Sequence, residues 1–447
     1  MHVALSEHLT GKKIFLVTIA PICMMVFSSL YSVVDGVFIS QWVGLDAFAG
    51  NNLVWPYIAI LSSFGLMFGT GGSALIGKYL GEGKKEKADQ TFSFMIIATL
   101  ILGVGLGILG FFTSGLFTQA MAQLTSDSTE EMVRAGTIYG KILSIGVPLL
   151  MLQFLFQSFF TVAEKPYVGF AFIVVAGISN IALDALFMGV FGWGIEGAAV
   201  ATVIGYFIGG AAPILYFLFS KKTPIRWVKP VFDGKDLAKA AGNGISELVS
   251  NISGSVLAMC YNAQLLRYVG QDGVSAYGVI QYFVYVFIAV FIGYSMGVAP
   301  FVSYNFGAQN KKELHHILVR SLCVVAVLGV CMFAFGEFLG PVLSAAFAGD
   351  NKNVAALAGH ATRIHSFVFL TCGFSIFGSS FFTALNNGMV SGVISLFRTF
   401  VCELACVFLM PLILSVDGIW ASGAFAEIGS SALTVFFYIW GKKKYGY

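Results

Sequence analysis

The sequence predicts an all-α polytopic membrane protein with twelve transmembrane helices in two six-helix lobes that are parallel repeats of one another. Three observations carry that prediction. The 447 residues are 57% hydrophobic, 11% are charged, and the mean hydropathy is +0.86, a composition solvated by lipid. Apolar runs recur along the whole chain, each near the ~20 residues that a bilayer crossing needs. The second half also repeats the first: residues 44–87 align without gaps on 270–313, pairing Gly44 with Gly270, Asp46 with Asp272, Gly81 with Gly307 and Lys85 with Lys311.

Taken in order, the opening residues are polar, and the run over 14–41 is too long for a signal-peptide core and lacks a small-residue cleavage pattern. It is a retained first helix. Further runs follow at 53–80, 92–113, 136–160, 168–190 and 196–219. Beyond a basic stretch with Pro224 and Pro230 come 241–267, 274–304, 320–346, 360–383, 391–414 and 419–440. Several exceed the bilayer thickness, which implies tilt or extension past the headgroups. Pro21, Pro148, Pro213, Pro300 and Pro411 lie inside spans, where kinks are expected and neighbouring helices satisfy the freed backbone groups. Residues 158–161 (Ser-Phe-Phe-Thr) recur at 380–383, so an even number of spans separates the copies and both lobes cross in the same direction. The chain divides into a lobe at 1–219, a basic cytoplasmic linker at 220–240 and a lobe at 241–447.

Lysine and arginine set the orientation. With the N-terminus inside, 18 of the 25 basic residues fall on the cytoplasmic side, among them Lys12, Lys13, Lys84, Lys85, Lys221, Lys222, Lys311, Lys312 and Lys442 to Lys444. The opposite loops offer Arg134, Arg267, Lys352 and Arg363, with Asp127, Glu130 and Glu131 after the third span. Both termini are therefore expected on the cytoplasmic side of the membrane. The net charge of +3 is explained by this sidedness and calls for no nucleic-acid partner.

The seven cysteines lie in apolar runs and form no CxxC pair, so they read as small core hydrophobes rather than a disulfide frame or zinc site. No aspartate-rich magnesium motif, no nucleophile with a nearby base and no phosphate-binding glycine loop is found; His315 and His316 fall in a basic loop. The protein is read as no enzyme, without a cofactor and without ATP drive. The pairs Gly65 and Gly69, Gly103 and Gly107, and Gly205 and Gly209 let helices approach closely.

The chemistry lies in polar residues deep within the spans. A carboxylate at the centre of a transmembrane helix costs roughly 2.5 to 3.5 kcal/mol even on insertion scales, so it marks an ion or substrate route or a helix-to-helix contact. Asp35 falls in the outer part of the first span. Asn180 and Asp184, four apart on one helical face, sit near and beyond the middle of the fifth, and Thr202 reaches similar depth in the sixth. Gathered in one bundle, they would supply two carboxylates, an amide oxygen and a hydroxyl. Those hard oxygen ligands suit a sodium ion, and two neighbouring carboxylates equally suit a shared proton. Tyr31, one turn before Asp35, could donate to it. The repeat acts as a control: Asp35 corresponds to Tyr261, and Asn180 and Asp184 to Cys402 and Cys406. The constellation belongs to the first lobe alone, as a dedicated coupling site would. The second lobe has Glu247, Arg398, Glu403 and Glu427, with Arg398 and Glu403 spaced to pair across helices. Lys141 snorkels near the outer end of the fourth span. Gln157, Gln281, Tyr285, Glu247 and Arg398 are candidate substrate contacts.

The segment Leu30-Tyr31-Ser32-Val33-Val34-Asp35, the run from Asn180 to Asp184, Gly194-Ile195-Glu196-Gly197-Ala198-Ala199 continuing to Thr202, Gly297 to Pro300 running into Ser303 to Ala308, and Phe382 to Gly388 with Arg398-Thr399 together resemble the multidrug and toxic compound extrusion (MATE) family, in its bacterial and archaeal branch. The resemblance spans almost the whole chain. It implies a V-shaped pair of six-helix lobes and antiport: export of bulky, often cationic, aromatic small molecules in exchange for sodium ions or protons by lobe rocking. It also implies a cation site at the positions of Asp35, Asn180, Asp184 and Thr202. Residues 424–427 (Ala-Phe-Ala-Glu) lack the proline that relatives often carry before this acid, so the resemblance assigns Glu427 no role. The partners expected are small-molecule substrates and membrane lipids, with the protein a monomer. Two alternatives stand beside this one. A lipid-linked-precursor flippase of the same superfamily would need a basic cavity, for which only Arg398 and Lys141 offer charge; a membrane-embedded enzyme would need the catalytic cluster that the sequence lacks.

Overall fold

A computed structural model of the chain describes residues 3–123, 129–220, 223–347 and 352–447; Asp127, Lys221 and Lys222 lie outside them. All regular structure among these residues is helical. The first lobe is built from α1 (Gly11–Phe38), α2 (Leu45–Gly81), α3 (Lys85–Gln123), α4 (Glu130–Val162), α5 (Pro166–Asp184), α6 (Gly194–Tyr206) and α7 (Ala212–Phe219). A short α8 (Gly234–Asn243) follows, then α9 (Ile245–Tyr268), α10 (Gln271–Gly307), α11 (Lys311–Phe347), α12 (Lys352–Ser366), α13 (Phe369–Ala384), α14 (Gly388–Leu396), α15 (Leu404–Leu414) and α16 (Val416–Tyr445). Helix starts are set by side-chain caps: Thr10, Thr129, Asp233 and Asn387 accept from backbone N–H groups at the heads of α1, α4, α8 and α14, which satisfies donors the helix cannot.

Among the described residues ten helices are long and apolar enough to cross a membrane, or eleven when α12 and α13, bent by 55° at a short break, count as one. The remaining pass is α9, which carries Ser246, Glu247, Asn251, Ser253 and Ser255 and is too polar to be recognised by hydropathy. The α12–α13 break contains no proline; within it the Val368 N–H bonds back to the His365 carbonyl in a tight turn. Sequence periodicity read this region as one continuous helix. His315 and His316, expected in a loop, belong to the first turns of α11. Of the cysteines only Cys372 is fully buried, whereas Cys323 and Cys331 are exposed on the outer surface; expecting all seven in the core was wrong because α11 turns one face outward.

The repeat is legible in the backbone. Helices α2 and α10 each have 37 residues and each begins after a glycine with positive φ, Gly44 at 126° and Gly270 at 87°. Their ends are followed by Gly83 (75°) and Gln309 (56°), again 226 positions apart, and Glu164 (57°) and Asn386 (56°) follow the two Ser-Phe-Phe-Thr copies. The lobes meet on equivalent atoms. A Cβ on Gly81 would overlap the Tyr304 carbonyl, and one on Gly307 would overlap the Lys78 carbonyl. Because 78 and 304 are also repeat mates, this is a reciprocal backbone contact on the pseudo-twofold axis.

Core packing joins the lobes at one end and separates them at the other. Around Gly81 and Gly307, on the face bearing both termini, one continuous apolar core joins the lobes, including Leu75, Phe92 and Phe156 from the first and Phe291, Phe301 and Phe377 from the second. Towards the opposite, distal face the core divides into one cluster around Val54, Tyr139 and Met151 and another around Tyr261, Tyr277 and Trp420. Tyr285 on α10 is 63% exposed. The glycine pairs work as expected: Gly65 and Gly69 lie on the backbone of Met151 and Leu155 in α4, and Gly103 and Gly107 on Pro148 and Ser144.

Candidate coupling site in the N-terminal lobe

Helices α1, α4, α5 and α6 bring Asp35, Tyr139, Asp184 and Thr202 to one point inside the first lobe. The Asp35 and Asp184 carboxyl groups meet. Asp35 Oδ2 accepts from the Tyr139 hydroxyl at 3.4 Å, but no N–H or O–H donor reaches Asp35 Oδ1 or either oxygen of Asp184, which is 0% exposed. Asn180 Nδ2 donates to Thr202 Oγ1 at 3.4 Å, and that hydroxyl donates to the Ala198 carbonyl at 2.9 Å. Beside them Gln153 Nε2 donates to the Tyr31 hydroxyl at 3.4 Å. Asp35, Asn180, Asp184 and Thr202 thus form one cluster. Tyr31 lies beside Asp35 without a bond to it and takes its hydrogen bond from Gln153 instead.

Space for these side chains comes from glycines on the neighbouring helices. The Tyr31 ring lies against Gly177, where a Cβ would come within 3.0 Å, and the Gln153 amide occupies the room left by Gly209, at 2.5 Å. Three site-bearing helices change to π geometry next to the cluster, over Ile39–Val43, Ala185–Val190 and Phe207–Ala211. Such one-turn widenings recur at functional sites. Sequence reasoning missed Tyr139, Gln153 and Tyr206, the last buried at the end of α6 beside Tyr31 and Asp35. Gln153 alone left a signal, an amide within an apolar span, while the two tyrosines look like ordinary lipid-belt or core aromatics.

Two ionised carboxylates about 4 Å apart repel by roughly 4 kcal/mol at an effective dielectric of 20, and a buried acceptor with no donor costs about 1 to 3 kcal/mol. The cluster is therefore incomplete as a set of anions. It is completed by anything that supplies one positive charge: a proton between the carboxyls, or a small cation held by oxygens.

The second lobe makes a contrast. Arg398 Nε donates to Glu427 Oε1 at 2.6 Å, Ser375 Oγ donates to Glu427 Oε2 at 2.6 Å, and the Tyr261 hydroxyl donates to Glu403 Oε1 at 3.2 Å. The expected Arg398–Glu403 partnership is replaced because α16 packs along the π segment Phe397–Glu403 and brings Glu427 to the guanidinium. Glu247 lies near Arg398. Each oxygen of Glu427 has a donor, so this cluster holds itself together in a way the first does not. Gln157 is buried with an unpartnered Oε1, Gln281 adjoins Tyr277, and Tyr285 is exposed on α10. Lys141 lies over the Phe111 ring at 5.9 Å on an exposed face, as a snorkelling lysine should.

Two lobes of membrane-crossing helices, an internal repeat and an incomplete charge site buried in one lobe define a membrane transporter rather than an enzyme. The sequence pattern of the MatE family matches residues 21–186 and 248–409, and the chain belongs to that family. It is 24% identical over 434 residues to the probable multidrug resistance protein YoeA of Bacillus subtilis (strain 168), covering 94% of this chain and 92% of that one. To the multidrug export protein MepA of Staphylococcus saprophyticus it is 26% identical over 350 residues, covering 76% and 74%. Its fold matches a crystal structure of MATE in complex with MaL6 with a TM-score of 0.89 at 19% identity, covering 98% of this chain and 97% of that one. A multidrug resistance MATE family transporter in an outward-facing conformation gives a TM-score of 0.88 at 19% identity and the same coverage.

Proposed function

We propose that this protein is an antiporter that exports bulky, often cationic, aromatic small molecules in exchange for sodium ions or protons. The observation that carries the coupling is the Asp35–Asp184 pair, three of whose four carboxyl oxygens have no donor: with the lobes open on the distal side, one proton or sodium ion completes the cluster with help from Asn180 and Thr202. Loading removes the charge penalty in the first lobe and favours rocking of 1–219 against 241–447 about the 220–240 linker. Substrate then enters from the other face, touches Gln157, Gln281, Tyr285, Glu247 and Arg398, and biases the return. The distribution of basic residues supports a cytoplasmic location for the face bearing the termini, and in this reading the protein works as a monomer among the lipids of a prokaryotic cytoplasmic membrane. The names of the relatives from Bacillus and Staphylococcus support the substrate class. Arg398 is tied to Glu427 and Lys141 lies on the lobe surface, so neither supports a phosphate-binding flippase cavity.

The test is efflux of an ethidium-type dye from oriented vesicles, with sodium and pH gradients imposed separately, comparing the wild type with Asp35→Asn and Asp184→Asn. One gradient is expected to drive efflux in the wild type and neither in the variants. Efflux unimpaired in both variants removes the coupling role.

A further inference from the structure

Residues 3–10, ahead of α1, cross the closed face of the molecule as a strap between the lobes. Leu5 and Leu9 are buried in the shared core. The Leu5 N–H donates to Glu164 Oε1 at 2.7 Å in the α4–α5 turn of the first lobe. The Leu9 N–H donates to Glu313 Oε1 at 2.9 Å on α11 of the second lobe, and Arg320 of α11 donates to the Leu9 carbonyl. Between these anchors His8 projects outward. Its Nδ1 lies 2.5 Å from Glu313 Oε2, and its ring meets that of His316 edge-on at 5.6 Å. Glu313 and His316 are three apart on one face of α11. One ligand atom from each of His8, Glu313 and His316 lies within 4.8 Å of the others.

We propose that His8, Glu313 and His316 form a divalent transition-metal site, for an ion of the zinc or nickel class, that staples the strap of the first lobe to the second. Two imidazoles and one carboxylate are a borderline-soft donor set that suits such ions rather than magnesium or calcium. The site is partly built: Glu313 is buried and held by the Leu9 N–H through one oxygen, which leaves the other for the metal, the second-sphere orientation that metal carboxylates use. Coordination through His8 Nδ1 moves the ring proton to Nε2, so the 3.4 Å contact of Nε2 with Arg320 gives way while Arg320 stays on the Leu9 carbonyl. No redox change and no net proton loss from His8 are involved. The guanidinium charge weakens the site, and the remaining coordination positions are filled by water. A metal held by both lobes stabilises the closed face by mass action and opposes the rocking that export requires. That last consequence rests on the antiport reading; the site itself does not.

The experiment titrates the purified full-length protein with Zn²⁺ by calorimetry and by melting temperature, using wild type, His8→Gln, His316→Gln and the control His315→Gln. Expected are one Zn²⁺ per chain, a melting temperature raised by Zn²⁺, affinity at least tenfold weaker in His8→Gln and His316→Gln, and no change in His315→Gln. His316→Gln leaves the His8–Glu313 contact in place, so a purely structural latch would not respond to it. Equal Zn²⁺ affinity in wild type and His316→Gln, or no binding, overturns the site. In vesicles, Zn²⁺ on the strap side is expected to slow dye efflux by the wild type and not by His316→Gln. Efflux unaltered at saturating Zn²⁺ overturns the staple, and loss of efflux without Zn²⁺ would count against antiport instead.

Discussion

Replacing Asp184 by asparagine separates coupling from glue, because the two roles predict opposite signs. Three oxygens of the Asp35–Asp184 pair lack donors, at about 1 to 3 kcal/mol for each unsatisfied acceptor. Asparagine keeps the shape, removes one negative charge and brings an amide N–H that can donate to Asp35. The variant is thus expected to be more resistant to unfolding, by about 1 to 3 kcal/mol if one acceptor is satisfied, read as an apparent melting temperature in detergent a few degrees above wild type. Transport should move the other way. One charge carried across ~100 mV is worth ~2.3 kcal/mol, or roughly fiftyfold accumulation of substrate, and a variant that cannot load its cation should fall to no accumulation in vesicles with an imposed potential. A variant that melts lower than wild type yet still accumulates dye fiftyfold would refute the reasoning and return the pair to helix packing.

Three further outcomes are expected. Valine at Gly81 or Gly307 must push against a carbonyl of the opposite lobe, costing about 1 to 3 kcal/mol in overpacking and lowering both melting temperature and efflux; Gly105→Ala, with nothing near its Cβ, serves as the neutral control. Arg398→Ala leaves Glu427 buried with only Ser375, at a cost of about 3 to 5 kcal/mol, and adding Glu427→Gln should recover much of the lost thermal stability. Gly209→Ala places a methyl on the Gln153 amide; separation of Gln153 from Tyr31 should cut dye efflux with less than about 1.5 kcal/mol of destabilisation, and unchanged efflux would exclude Gln153 from the site.

The helical architecture was readable because bilayer crossing needs long apolar runs and because a φ as wide as the 126° of Gly44 and the 87° of Gly270 strongly favours glycine, which marks the two as copies even at low overall similarity. Hydropathy supported α9 least, since its serines, Glu247 and Asn251 lower the apolar signal. The α12–α13 bend escaped, having no proline to announce it. The acidic core of the site was also legible, because Asp35 and Asp184 are costly wherever they lie in a span and so stand out singly. Tyr139 and Tyr206 were not, because an aromatic residue in a membrane helix carries no comparable penalty and only depth and rotation reveal which one faces a carboxylate. Which acid Arg398 meets depended on the π turn beneath it, whose register no propensity encodes.

The reciprocal seating of Gly81 and Gly307 on opposing carbonyls has a consequence for insulation. Where main chain rests directly on main chain, no gap remains for a file of water, and no rotamer change can open one. At this point of the junction, then, no side-chain motion can open a path for ions between the lobes.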